Sequence, residues 1–392
     1  MVDIDTPRAT VSPATEQGAH QPQVRETVLI TGGAGFIGSH LADELLAQGY
    51  RVRALDNLVE QVHGGDGRPD YLDPDVELIA GDVRDPEAVR RAVSSADAVV
   101  HFAARVGVGQ SMYELAEYAG ANTAGTAVLL EAILDHPVRK LLVASSMSVY
   151  GEGAYETVDG APVVAERTEE QLVAGAWDLV DEHARPLRPV ATPETKQPAL
   201  ASVYALTKYD QERLCLLFGG AYDIPAVALR FFNTYGTRQA LSNPYTGVLA
   251  IFAARLLNGK PPLVFEDGRQ LRDFVAVSDV ARACRLALES ERVGGHAINI
   301  GTGRGVSVLE VAEKLARVLD VEIEAEVTGK FRAGDIRHCF ADASIARDLL
   351  AFDAQVELEQ GMADLAEWLE GQVAEDRVDG AAAELAARGL TR

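Results

Sequence analysis

The stretch over 27–49 constrains the fold more than any other. Thr27-Val28-Leu29-Ile30 is a short apolar, β-rich run that predicts a buried strand. Thr31-Gly32-Gly33-Ala34-Gly35-Phe36-Ile37-Gly38-Ser39 follows at once, and then Ile37, Leu41, Leu45 and Leu46 recur at helical spacing, with Gly49 where a helix stop is expected. Strand, glycine-rich turn and helix in this order predict a nucleotide-binding βα unit. The glycines allow a tight turn and a close backbone approach, and the helix N-terminus favours a pyrophosphate. The spacing is G-x-x-G-x-x-G rather than G-x-G-x-x-G, so the flanking strand and helix carry the reading more than the glycines do.

The pattern then repeats. Val52-Arg53-Ala54-Leu55 is a second strand ending in Asp56, followed by Asn57. A carboxylate there binds adenosine ribose hydroxyls and repels a 2′-phosphate, which favours NAD over NADP. Val76-Glu77-Leu78-Ile79 leads into Gly81-Asp82-Val83, where Asp82 either touches the adenine edge or caps a turn. Ala98-Val99-Val100-His101 runs into Phe102-Ala103-Ala104, small residues that suit a nearby dinucleotide; His101 itself reads as structural. A helix over about 115–134 carries Asn122 and Gly125. Leu141-Leu142-Val143-Ala144 then ends in Ser145-Ser146-Met147-Ser148-Val149-Tyr150-Gly151. This alternation predicts an α/β fold built on a doubly wound parallel Rossmann sheet, with its ligand crevice at the strand carboxyl ends. Ser146 stands at that edge, either as a reactive hydroxyl or as a turn-capping serine.

Residues 152–200 break the pattern. They are rich in Pro, Glu, Ala and Thr, hold one His and no Cys, and predict an insertion with one or two short helices and no metal site. The segment leaves the sheet after Ser146 and returns before Tyr204, which reads as a lid or binding element over the cleft, or else as a peripheral decoration or dimer contact. Tyr204-Ala205-Leu206-Thr207-Lys208 then sets a Tyr and a Lys about one helical turn apart. Tyr is a poor base at neutral pH, and a nearby ammonium lowers its pKa. Alone the pair is common on surface helices; beside a nucleotide site it is an acid/base. Beyond Asn233 and about residue 240 the alternation loosens into a smaller α/β lobe that extends to 371. Tails are expected over 1–25 and, polar and Ala-rich, over 372–392.

With 36 basic and 59 acidic residues, the formal charge of −23 opposes nucleic-acid and anionic-membrane binding. An anionic ligand must therefore be held by local arginines. The scattered Cys215, Cys284 and Cys339 show no metal-ligand spacing and read as thiols of a reducing, cytoplasmic compartment. No apolar run reaches membrane-spanning length.

These residues, in this order from about 27 to 370, resemble the extended short-chain dehydrogenase/reductases, in particular the NAD-dependent nucleotide-sugar epimerases and dehydratases. Arg230-Phe231-Phe232-Asn233, Arg272-Asp273-Phe274 and Arg332-Ala333-Gly334-Asp335 extend the match. The resemblance implies that Tyr204 is the general acid/base, that Lys208 binds the nicotinamide ribose and lowers the Tyr pKa, and that Ser146 hydrogen-bonds the reacting sugar hydroxyl. It implies NAD contacts from Gly32, Gly35, Phe36, Ile37, Gly38, Asp56, Asn57, Asp82, Val83, Phe102, Ala103, Ala104 and Asn122. It also implies that Asn233 meets the substrate, that Arg272 and Arg332, with Asp335, hold its diphosphate, and that the protein is a homodimer through the Tyr-Lys helix and the helix near 115–134.

Within that family, dehydratases carry an Asp-Glu pair where this chain has Met147-Ser148, and decarboxylases a Glu at the second position. Met cannot transfer a proton and Ser is a weak substitute for a carboxylate. The expectation is therefore a 4-epimerase acting on a dTDP-deoxyhexose or a UDP-hexose. A UDP-glucuronate 4-epimerase and a 4-keto-sugar reductase or dehydrogenase are the rivals, and a non-catalytic sensor is disfavoured by the presence of Ser146, Tyr204 and Lys208.

Overall fold

Seven strands form one sheet: β1 (Thr27–Thr31), β2 (Arg51–Asp56), β3 (Glu77–Ala80), β4 (Ala98–His101), β5 (Lys140–Ser146), β6 (Ala226–Phe231) and β7 (Ala297–Ile300). Their order is β7-β6-β5-β4-β1-β2-β3 and every neighbouring pair is parallel. This computed structural model describes residues 26–65, 67–241, 243, 247–332, 334–370 and 378–391; the tail expected over 1–25 lies outside them. The order reverses between β1 and β4, the switch point at which such sheets open a crevice.

Strand side chains alternate between two cores. Val28, Ile30, Val52, Ala54 and Val100 pack on one face with α1 (Phe36–Ala47) and α6 (Val277–Glu289); Leu29, Leu55, Val99 and Val143 pack on the other with α2 (Pro86–Val93), α3 (Gly125–Asp135) and α4 (Val203–Ala221). A sheet buried on both faces is why its strands read as continuous apolar runs. Local signals set the helix starts. Asp85 caps α2 ahead of Pro86, and the Ser202 hydroxyl caps α4 by accepting from Ala205 N. A π-turn over Ala119–Ala124 precedes α3 and carries Asn122 fully inside.

α5 (Val248–Leu257), α7 (Val308–Val318) and α8 (Leu358–Leu369) build the smaller lobe around Tyr235, Val264 and Phe274. The chain beyond 240 does not stay there, since α6, β7 and the helix Ser344–Leu350 return to the large sheet.

Two expectations need correction. The insertion contains one short helix, Glu169–Val173, and a three-stranded antiparallel sheet of Ala154–Glu156, Pro162–Val163 and Arg188–Val190. The Pro-rich spacing hid these strands, each too short for a period to register. The expected polar tail also contains order: over the described residues 378–391 it holds α9 (Val378–Ala387), with Leu385 buried against Gly109 and Asp379 paired to Arg255 and Lys260 at 2.7 and 3.0 Å. Among the described residues no helix is long and apolar enough to cross a membrane.

Candidate active site

The carboxyl ends of β1, β2, β4, β5 and β6 open into a cavity of about 470 Å³ that reaches the smaller lobe. At one end the β1–α1 turn presents backbone. Gly32 has φ +70°, and a Cβ there would stand 2.9 Å from Ala103 N; a Cβ at Gly38 would meet Gly32 O at 2.3 Å. Only glycine lets the turn lie this close to β4 and the helix lie this close to the turn. α1 has no side-chain cap and no acidic residue in its first turn, so its N-terminal N–H groups remain for a ligand. Asp56 is 7% exposed and held by Ala34 N and Leu58 N, both at 3.0 Å, with His63 Nε2 at 3.4 Å.

At the other end stand Ser146, Tyr204 and Lys208. The Ser146 hydroxyl accepts from Ser148 N at 3.2 Å, so the capping role is real. Tyr204 N donates to Ser111 Oγ at 3.0 Å. Burial raises the Tyr204 pKa, and the Ser146 hydroxyl opposes it. This differs from the expectation that Lys208 lowers it. Burial pushes Lys208 itself down to about 7, against the fields of Cys215 and Glu212, and its Nζ donates to Gln211 Oε1 at 2.7 Å.

Gly32, Gly35, Phe36, Ile37, Gly38, Asp56, Asn57, Asp82, Val83, Phe102, Ala103, Ala104, Ser146, Tyr204, Lys208 and Asn233 all line this cavity. Asn122 does not: its amide holds Arg105 N and O at 2.7 and 3.1 Å and Thr207 Oγ1 at 3.0 Å, supporting the wall from behind. Arg272, Arg332 and Asp335 also lie outside the lining. Arg332 bonds Asp335 at 3.0 Å, and Arg272 donates to the carbonyls of Leu271 and Arg337. Burial would raise the Asp335 pKa, but Arg332 and Arg272 outweigh it and hold the carboxyl low. No residue of the insertion lines the cavity, so the insertion does not roof the cleft there. Residues that sequence reasoning missed include Val62, His63, Gln239 and Val248. They come from loops and a helix start with no motif spacing; the one signal was their position just after Asp56 or after Asn233.

A model of the NAD dependent epimerase/dehydratase family matches residues 28–176 and 179–301. The chain belongs to this family. It is 37% identical over 347 residues to a dTDP-L-rhamnose 4-epimerase of Burkholderia thailandensis, covering 87% of this chain and 94% of that one. It resembles the structure of a UDP-glucose 4-epimerase with UDP-glucose from Thermotoga maritima at 31% identity and TM-score 0.72, covering 88% and 98% of the two chains. A UDP-glucuronic acid 4-epimerase of Bacillus cereus, in complex with UDP-glucuronic acid and NAD, matches at 27% identity and TM-score 0.71, covering 88% and 99%. Members are NAD dependent, and the residues here fit that cofactor: an uncapped helix N-terminus, a turn that excludes any Cβ at Gly32, and a fixed carboxylate at Asp56.

Proposed function

We propose that this enzyme inverts C4 of a nucleotide-diphosphate hexose through a transient 4-keto sugar, acting on a dTDP-deoxyhexose or a UDP-hexose. The observation that carries this reading is an absence of acid where elimination would need one. Among the described lining residues the carboxylates are Asp56 and Asp82, both at the β2 and β3 ends, while Met147 and Ser148 flank Ser146. Dehydration calls for an added acid and base near the sugar; epimerisation requires only the Tyr204 proton shuttle.

Tyr204 takes the C4 hydroxyl proton and later returns it, with Ser146 hydrogen-bonded to the same oxygen. Lys208 holds the cofactor ribose, and Asn233, whose Oδ1 is buried without a partner, meets the substrate. The Gly32–Gly38 turn, Asp56 and Lys208 would hold NAD, which would supply a reversible hydride acceptor for C4. Arg272 and Arg332, paired with Asp335 outside the cavity lining, are the arginines that would take the diphosphate. A neutral C6 is favoured over a carboxylate. The cationic lining residues are Arg105, bonded to Glu114 at 2.6 Å, and Lys208, bonded to Gln211. Exposed Leu115, Leu206 and Leu217 on the two helices that flank the site support a homodimer, and three buried free cysteines support a cytoplasmic setting.

The test is a product analysis with dTDP-L-rhamnose, UDP-glucose and UDP-glucuronate without added reductant. C4-inverted product with NAD retained through purification is expected. Dehydrated or decarboxylated product, or turnover only with added NAD(P)H, overturns the reading.

A further inference from the structure

His101 and Gln211 are both fully buried, and neither touches the cavity, yet they complete a hydrogen-bond chain that ends on Lys208. Thr126 Oγ1 donates to Asn122 O, so it accepts from its other neighbours. The His101 Nε2 atom lies 2.8 Å from Thr126 Oγ1 and 3.0 Å from Gln211 Nε2, donating to the first or accepting from the second. Nδ1 shares one hydrogen with Thr31 Oγ1 at 2.7 Å, and Thr31 Oγ1 accepts from Ala103 N at 3.2 Å. The ring is neutral, since burial pushes its pKa down to about 3.

The orientation of the Gln211 amide is determined by its neighbours. Its Nε2 lies 3.0 Å from His101 Nε2, 3.2 Å from Ala103 O and 3.1 Å from Thr126 Oγ1. Reversing the amide would set oxygen against the Ala103 carbonyl and N–H against the Lys208 amine at 2.7 Å. The Gln211 carbonyl must therefore face Lys208.

We propose that Gln211 is a positioning residue of this active site: locked by Ala103, Thr126 and, through Thr126, His101, its carbonyl holds the Lys208 amine at the cavity wall and favours its charged form. The proposal rests on the reading of Tyr204 and Lys208 as the acid/base pair. The titratable groups facing Lys208 are Tyr204, Glu212 and Cys215 on its own helix and His101 on β4; a change at Gln211 leaves all of them in place.

Gln211→Met keeps the volume and removes the carbonyl. The kcat should fall about tenfold, the size of one hydrogen bond to a charged group, with KM within about twofold, and the high-pH limb of kcat should move to lower pH. Gln211→Glu places a carboxylate beside the amine and should move that limb to higher pH. In a Lys208→Ala background, Gln211→Met should cost nothing further, because its effect passes through Lys208. A wild-type pH profile in Gln211→Met, or losses that multiply in the double variant, overturns the proposal. If Gln211→Met does not fold, Gln211→Glu decides: a downward or absent shift of its limb overturns it. Full activity in Lys208→Ala or Tyr204→Phe would instead sink the underlying acid/base reading.

Discussion

Two buried polar networks hold this molecule together, and they differ in kind. Behind the helix that carries Tyr204 and Lys208 the partners are neutral: Thr31, His101, Thr126 and Gln211, ending on an amine pushed down to about 7. Between the insertion and the smaller lobe they are ions. Arg167 reaches Glu152 at 3.0 Å, Glu266 at 2.7 Å and the Asp335 carbonyl at 2.9 Å. Arg337, 1% exposed at its side chain, binds Glu266, Asp267 and Asp178. A buried ion with several fixed counter-ions keeps its charge whatever the solution does. The buried Lys208 amine, without such counter-ions, is pushed toward neutral pH, where a ligand's charge or one hydrogen bond changes its protonation state. The first arrangement suits a seam and the second suits an acid/base site.

The widest separation between the two comes from Tyr204→Phe. Removing the phenol should lower kcat about thousandfold, within the range of general acid–base catalysis. Stability should change by less than about 1 kcal/mol, because the lost hydroxyl faces the cavity and leaves no buried partner unpaired. Steady-state turnover and urea unfolding on one preparation check both halves, and turnover near the parent's would remove Tyr204 from the mechanism.

The seam should respond the other way. Arg337→Met leaves Asp178 and Asp267 without their guanidinium, and it leaves Glu266, itself 1% exposed at its side chain, leaning on Arg167 alone. Breaking a buried ion network of this kind costs about 3–5 kcal/mol. The urea midpoint should fall accordingly while kcat per folded molecule stays near that of the parent. A stability loss under about 1 kcal/mol would show that the seam's charges are not structural.

The two regions also differ in how far they could be read from sequence. Gly32, Gly38, Asp56, Ser146 and Tyr204 announce themselves because each sits at a fixed step in a strand–turn–helix rhythm, and the rhythm alone places strand ends on one edge. The seam has no such rhythm. Arg337 and Asp178 are 159 positions apart, and Arg337 N reaches Glu152 across 185. Nothing local marks these residues, and an insertion read as a roof over the cleft turns out to brace Asp335 and its arginines instead. Lys208 was legible as a residue but not as an environment. Spacing puts the amine near the phenol; burial sets the direction of the Tyr204 shift.

A smaller effect tests whether the seam carries one neutral member on purpose. His338 Nδ1 accepts from Leu271 N at 3.1 Å, so a proton on that atom would break the pairing of Leu271–Arg272 with His338–Cys339. Burial, with Arg337 and Arg272 adding to it, pushes the His338 pKa from 6.5 down to about 4. The unfolded chain takes a proton as pH falls below 6.5, and the folded one does not until about 4. Stability should therefore fall over that window, by at most about 3 kcal/mol, and not at all between pH 6.5 and 8 from this group. His101, lowered to about 3, adds a slope of the same sign that extends further into acid. His338→Asn keeps an acceptor near the Nδ1 position and cannot titrate. Urea unfolding at several pH values from 4.5 to 6.5 should then show a shallower decline for the variant, with His101 and His40, both lowered by burial, contributing to the remainder. Equal slopes for parent and variant would mean that His338 takes its proton in the folded seam, and that the surrounding carboxylates, not the arginines, set its field.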